Sequence, residues 1–256
     1  MDQDERRIFL IEYLVKEDGS HGDLEIPKDK EGQKKLLRAL LNVRAPKEAD
    51  GEFCRIQDEY FREETRLKGI TDVSELEFSS EGICLWQGDI TTLRCDAIVN
   101  AANKYMIGCW IPNHGCIDNC IHTYAGIELR KECARIMEKQ GHLEETGRAK
   151  ITPAYNLPCR YIIHTVGPII NGPLTDKDKE LLASCYISCM EKAEENELEN
   201  LALCCISTGE FHFPNAEAAQ IAVSEVRKFL KGSKSLKKII FNVFKDKDRE
   251  IYEELL

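Results

Sequence analysis

Two thiols and an imidazole lie close together in Cys109-Trp110-Ile111-Pro112-Asn113-His114-Gly115-Cys116, and a carboxylate, Asp118, follows in Ile117-Asp118-Asn119-Cys120-Ile121-His122, which reads as the opening turns of a helix. Cysteine and histidine are ordinary zinc ligands. Structural zinc sites usually close with four protein ligands, whereas catalytic sites use three and leave the fourth position to water or substrate. The C-x4-H-x-C spacing of Cys109, His114 and Cys116 therefore points to a working Zn2+ more than to a structural clip. A loop with two unmetallated cysteines, in a chain that has twelve, fits the same spacing, and the neighbouring motifs must decide.

Asp118 is the best acid/base candidate. In the first turn of a helix the positive end of the dipole favours the ionised carboxylate, which suits a group that orients or deprotonates a water or a hydroxyl. The plainer alternative is a helix-start carboxylate with no further duty. His122 follows four residues later on the same helical face and is read as a structural histidine bonded to backbone rather than as a relay partner of Asp118. Cys120 extends the apolar stripe of Ile117, Ile121 and Tyr124 and is assigned to packing. Cys133, His142 and Cys159 have no ligand-like spacing to the cluster, and Glu128, Glu132 and the acidic run at 191–199 read as solvated helix faces.

The elements that must position these groups change character near residue 72. Before it, residues 5–15, 30–41 and 52–67 carry helical spacing of apolar residues among charges, broken by Gly19-Ser20-His21-Gly22 and by Ala45-Pro46. After it, β-rich runs at 82–86, 97–100, 161–166, 201–206 and 238–244 alternate with helical patterns at 117–139, 176–197, 214–230 and 246–256. Near-continuous apolar strands alternating with helices imply a mainly parallel sheet covered on both faces. Ligands of such sheets lie beyond the carboxyl ends of the strands. Three loops there stand out: Trp86-Gln87-Gly88-Asp89-Ile90-Thr91, Val99-Asn100-Ala101-Ala102-Asn103, and Ser207-Thr208-Gly209-Glu210-Phe211-His212-Phe213-Pro214. The last, small residues ahead of a helix whose first residue is read as Pro214, offers N–H groups that can hold phosphate without a lysine.

The formal net charge of −10 argues against nucleic acid held on a broad basic surface. No run approaches the roughly 20 apolar residues of a membrane span, and the acidic start lacks a signal-peptide pattern. A cytoplasmic protein is expected, with most cysteines serving as small buried hydrophobes rather than disulfides.

Gly88-Asp89-Ile90, Asn100-Ala101-Ala102-Asn103, Cys116-Ile117-Asp118-Asn119-Cys120-Ile121-His122 and Ser207-Thr208-Gly209-Glu210-Phe211 resemble, in order, the signatures of ADP-ribose-binding macrodomains. The stretch 147–158 and His164-Thr165-Val166-Gly167-Pro168 fit the same family. Many macrodomains follow the Asn-x-x-Asn element with a run of glycines; here the 109–116 stretch stands instead, as in a zinc-dependent microbial subfamily that also carries an N-terminal helical extension. The resemblance implies a three-layer α/β/α macrodomain at 73–256, with a mixed, mainly parallel sheet, preceded by a helical extension at 1–72. It implies that Asp89 accepts from the adenine amino group beside the Ile90 N–H. It places the backbone of Ser207, Thr208, Gly209 and Glu210 around the diphosphate, with Phe211 on the distal ribose. Asn103 would orient a ribose hydroxyl, and Cys116, Ile117 and Asp118 would border the same ribose. Asn100 is read as an architectural residue that holds loop backbone. The expected activity is Zn2+-dependent removal of ADP-ribose from mono-ADP-ribosylated protein side chains, with Asp118 and Asn103 catalytic. A reader that binds without cleaving, or a deacetylase of O-acetyl-ADP-ribose, would use the same pocket. The subfamily's frequent sirtuin-type neighbours suggest a lipoate-bearing carrier protein as partner.

Overall fold

The structure, a computed structural model, describes residues 1–19 and 24–256; Ser20, His21 and Gly22 of the expected first break lie outside the described residues. The N-terminal segment forms α1 (Gln3–Asp18), α2 (Lys30–Val43) and α3 (Gly51–Lys68). Each begins after an aspartate, Asp2, Asp29 or Asp50, whose carboxylate accepts from N–H groups of the first turn, where helix geometry leaves donors unpaired. Leu10, Ile11 and Leu14 of α1, Leu37, Leu40 and Leu41 of α2, and Phe53, Ile56, Tyr60 and Phe61 of α3 bury one another in a core of their own. At about 1.5–3 kcal/mol per buried side chain of this kind, the extension is held by its own packing. Tyr124 and Ile127 of the following part pack against that core.

The rest of the chain carries β1 (Thr71–Asp72), β2 (Ile83–Gln87), β3 (Leu93–Arg94), β4 (Ala97–Ala102), α4 (Ile117–Ala125), α5 (Ile127–Gln140), β5 (Ala149–Pro153), β6 (Tyr161–Val166), α6 (Asp176–Glu195), β7 (Asn200–Leu203), α7 (Asn215–Leu230), β8 (Lys238–Val243) and α8 (Asp246–Leu255). Six strands form one sheet in the order β2-β8-β7-β4-β6-β5, while β1 and β3 pair apart from it. Neighbours in the large sheet are parallel except β5, which runs antiparallel to β6 at the edge. Because successive strand residues face opposite sides, β6 shows both covers: His164 lies 3.9 Å from the Cys133 thiol of α5, and Thr165 meets Cys185 of α6. Helices α4 and α5 thus pack on one face, and α6 with α7 and α8 on the other, the expected three-layer α/β/α arrangement. No helix among the described residues is long and apolar enough to cross a membrane. The cysteines are free thiols, with Cys84, Cys133, Cys185, Cys189 and Cys204 buried and Cys205 half-buried.

Four local expectations change. The helix expected over 117–139 breaks at Gly126, whose φ of 98° suits glycine alone and whose missing Cβ leaves room for Gln57 and Asn156. Pro214 is the N-cap and Asn215 the first helical residue. The run expected at 201–206 ends as a strand at Leu203, which frees 204–206 to turn into the third loop. Within the acidic run, Glu194 is not a solvated face: its carboxylate gathers the Ser233 hydroxyl and the N–H groups of Lys234, Ser235 and Leu236 at 2.6–3.2 Å.

Candidate active site

The parallel register of β4 and β6 sets Asn100 opposite His164, both fully buried. The Asn100 amide nitrogen donates to Asp118 Oδ1 at 2.8 Å and faces His164 Nδ1 at 3.1 Å. An amide nitrogen only donates, so Nδ1 accepts and the opposite N–H of His164 donates to Thr152 Oγ1, 2.9 Å away. His164 then has no lone pair for a metal, although it groups tightly with His122 and Cys133. Burial pushes its pKa down to about 3, and it stays neutral. Asn100 was expected to hold loop backbone; its partners are instead the Asp118 and His164 side chains.

Asp118 is the second residue of α4, after the Cys116 N-cap, and is 5 % exposed. Burial pushes its carboxyl up to about 6, against the Asn100 hydrogen bond and the Arg130 charge. Asn103 directs its amide nitrogen to Gly108 O at 3.2 Å and to Asp118 Oδ2 at 3.4 Å, while its oxygen receives the Tyr105 N–H. The two asparagines therefore address different oxygens of one carboxylate. His122 does not bond to backbone as expected. Neither of its ring nitrogens has a partner among the described residues, and Nε2 stands 3.6 Å from Asp118 Oδ1, beyond hydrogen-bond reach. Burial first, then His164 and Arg130, hold it well below its usual pKa. Gly108, at φ 82°, lays its backbone on that ring, where a Cβ would come within 2.8 Å.

Cys109, His114 and Cys116, all half-buried, bring one ligand atom each within 4.8 Å of one another. Cys109 Sγ and His114 Nδ1 are 3.5 Å apart. A tetrahedral Zn2+ with Zn–S of ~2.3 Å and Zn–N of ~2.0–2.1 Å separates its sulfur and nitrogen ligands by about 3.5 Å, so this donor set fits the ion. Burial pushes the Cys116 thiol up to about 12, against the hydrogen bond from the Asn119 N–H; metal binding and thiol deprotonation would be one event there. Cys120 stays outside the cluster, half-buried with its sulfur 3.4 Å from Arg38.

The third loop meets the 109–116 stretch where Glu210 Oε1 approaches His114 Nε2 at 3.7 Å. Ser207 adopts φ 65°, a left-handed conformation that costs about 1–2 kcal/mol without glycine. Gly167 permits the close approach, because a Cβ there would collide with Ser207 Oγ. The N–H groups of Thr208, His212 and Phe213 are used inside the loop; those of Ser207, Gly209, Glu210 and Phe211 find no acceptor among the described residues. Four free donors on one turn suit an anion. Phe213 is buried beneath the loop and Phe211 half-exposed.

Asp89 caps the short helical turn Ile90–Thr92: Oδ1 accepts from the Thr91 N–H and hydroxyl at 3.0 and 2.6 Å, and Oδ2 pairs with Lys68 at 3.0 Å. Burial opposes its charge, but Thr91 and Lys68 outweigh that and keep the carboxyl below its ordinary value. Sequence reasoning missed Lys68, Arg38 and Asn42, all on the extension and all touching the site. It also missed Phe244, which leaves β8 74 % exposed just beyond the Gln87–Val243 pair and so beside the Asp89 loop. The signal available in the sequence for the last was an aromatic residue closing the final apolar run, at the carboxyl end of a strand where ligands of such sheets lie.

The Macro domain family model matches residues 99–222. The chain is 55 % identical over 260 residues to a protein-ADP-ribose hydrolase of Treponema medium, covering all of both chains. It is 46 % identical over 248 residues to one of Staphylococcus aureus strain MSSA476, covering 96 % of this chain and 93 % of that one. The macrodomain of Trypanosoma brucei, solved in complex with ADP-ribose, superposes with a TM-score of 0.65 at 30 % identity, covering 85 % of this chain and 94 % of that one. The chain belongs to the macrodomain family.

Proposed function

We infer that this protein is a protein-ADP-ribose hydrolase, which releases ADP-ribose from modified protein side chains. The relatives named above support the activity. The observation that carries the chemistry is a buried carboxylate, Asp118, clasped by Asn100 and facing Asn103 beside the Cys109–His114–Cys116 cluster. Near neutral pH a carboxyl at about 6 is mostly ionised, and a base close to the working pH is effective in proton transfer. Asp118 holds or takes the proton of the attacking water or of a ribose hydroxyl, and Asn103 fixes that ribose. The free N–H groups of Ser207, Gly209 and Glu210 receive the diphosphate, and Phe211 borders the distal ribose. Asp89 and the Ile90 N–H face the adenine, and the exposed Phe244 ring lies beside that loop.

We propose that Cys109, His114 and Cys116 hold Zn2+. When bound, the ion supplies Lewis acidity at the reacting ribose or lowers the pKa of a bound water towards 7. Mono-ADP-ribosylated proteins are the proposed substrates, with a lipoate-bearing carrier protein as the specific partner on resemblance alone, and the cytoplasm as the setting. The test is to incubate the protein with carriers ADP-ribosylated on acidic, serine or arginine residues and follow free ADP-ribose. Tight binding without release from any of them would make the protein a reader instead.

A further inference from the structure

The extension reaches the metal stretch through the last turns of α2. Arg38 donates to the His114 carbonyl at 2.7 Å and grips Asn119 Oδ1 through two nitrogens at 2.8 and 3.2 Å. One turn on, Asn42, fully buried, accepts the Asn113 N–H at 2.9 Å and donates to Thr123 at 3.0 Å. The peptide groups on either side of Asn113-His114 are therefore both fixed by one helix. The fixing has work to do, because Asn113 sits at φ 56°, a left-handed conformation that asparagine adopts more readily than other side chains but that its surroundings must still select. Asn119, aligned by Arg38, passes the restraint on by donating to the carbonyls of Ile111 at 3.0 Å and Cys109 at 3.4 Å. Arg130 completes the junction. Its guanidinium donates to the Asn42 and Arg44 carbonyls at 2.7 Å, at the end of α2, and lies 4.9 Å from the Trp110 ring. A cation at a helix carboxyl end is stabilising, and α2 has no basic residue of its own in its last turn.

We propose that Arg38 and Asn42 are positioning residues for the hydrolase: α2 sets the relative placement of Cys109, His114 and Cys116, so the N-terminal extension is a working part of the active site. The inference rests on the proposal that these three side chains hold Zn2+. Partners that orient metal ligands typically change metal affinity 10–100-fold when removed. Arg38 is only half-buried, and its aliphatic stem is kept in Arg38→Met, so the helix should survive the change.

The test measures zinc affinity by chelator competition, ADP-ribose affinity by calorimetry, and kcat and KM for release, on the full chain and on Arg38→Met and Arg38→Lys. Arg38→Met should bind zinc at least about tenfold more weakly and lose kcat. Its ADP-ribose affinity should stay within about twofold, and excess zinc should restore part of the rate. Arg38→Lys, which keeps one donor for the His114 carbonyl, should fall between. Unchanged zinc affinity and kcat in Arg38→Met overturn the proposal. Should Arg38→Met not fold, Arg38→Lys decides by the same readouts. Failure of the metal assignment is separately visible, because the unaltered protein would then take up no zinc.

Discussion

Lys68 Nζ stands 3.0 Å from Asp89 Oδ2 and 3.4 Å above the centre of the Tyr124 ring. The last turn of α3 thereby closes on the carboxylate proposed to read the adenine. Thr91 already holds the other oxygen, so Lys68 completes the aim of Asp89 and supports its charge, while the ring adds a cation–π contact.

Lys68→Met should therefore weaken ADP-ribose binding by about three- to fivefold, within the ~1 kcal/mol of a partly exposed pair. Calorimetry at low and high salt checks it, and salt should weaken the original protein more than the variant. A gain in affinity would mean instead that Lys68 competes with the base for Oδ2.

Gly209 tests the third loop. It needs no unusual φ, and nothing lies within 4 Å of where its Cβ would be, so a side chain fits the fold and projects into open space. Gly209→Val should keep its melting temperature yet lose about tenfold or more in ADP-ribose affinity, about 1.4 kcal/mol, by keeping a diphosphate from the free N–H groups. Unchanged affinity would remove this loop from the site.

What the chain discloses and what it withholds divide along sequence distance. The loops after β2 and β7 were legible because turn chemistry and strand-to-helix changes are local, whereas the run 99–102, expected as a loop, continues strand β4 and leaves only Asn103 beyond it. Asn100 beside Asp118 was not, since their contact depends on where β4 ends relative to the start of α4, and His164 joins them only through the β4–β6 register. Arg38 lies 81 residues from Asn119, and no spacing rule spans that interval. The edge strand β5 escaped because three of its five residues are half-buried and it ends in Pro153, which reads as loop. Glu194 was hidden in an acidic run that otherwise looks solvated.

Glu194 carries a pH prediction. The Ser233 hydroxyl does most to hold its carboxyl at about 2, and the N–H groups of Lys234, Leu236 and Ser235 add to it against some loss of hydration. A carboxyl depressed on folding stabilises above its ordinary value of 4.5 and loses that contribution as pH falls towards 2. Glu194→Gln should lower the melting temperature by a few degrees at pH 7. The difference from the original protein should shrink below pH 4.5. A constant difference across that window would show that the loop before β8 does not depend on the charge.

Asp118 and Cys116 separate chemistry from binding and metal from carboxylate. Asp118→Ala removes the group held by Asn100 but leaves Asp89, the third loop and the three proposed zinc ligands in place. It should therefore keep zinc and bind ADP-ribose within about threefold while losing at least ~100-fold in release, the usual range for a lost proton-transfer group. Cys116 needs more care, because its sulfur also accepts the Asn119 N–H at 3.4 Å as the N-cap of α4. Cys116→Ser preserves a capping oxygen and removes the soft ligand, so helix stability should change little while zinc and turnover fall together and part of the ligand affinity remains. Metal analysis, calorimetry and ADP-ribose release on the two variants distinguish the cases. Turnover retained in Asp118→Ala would take the carboxylate out of the reaction, and turnover retained in a zinc-free Cys116→Ser protein would make the cluster structural.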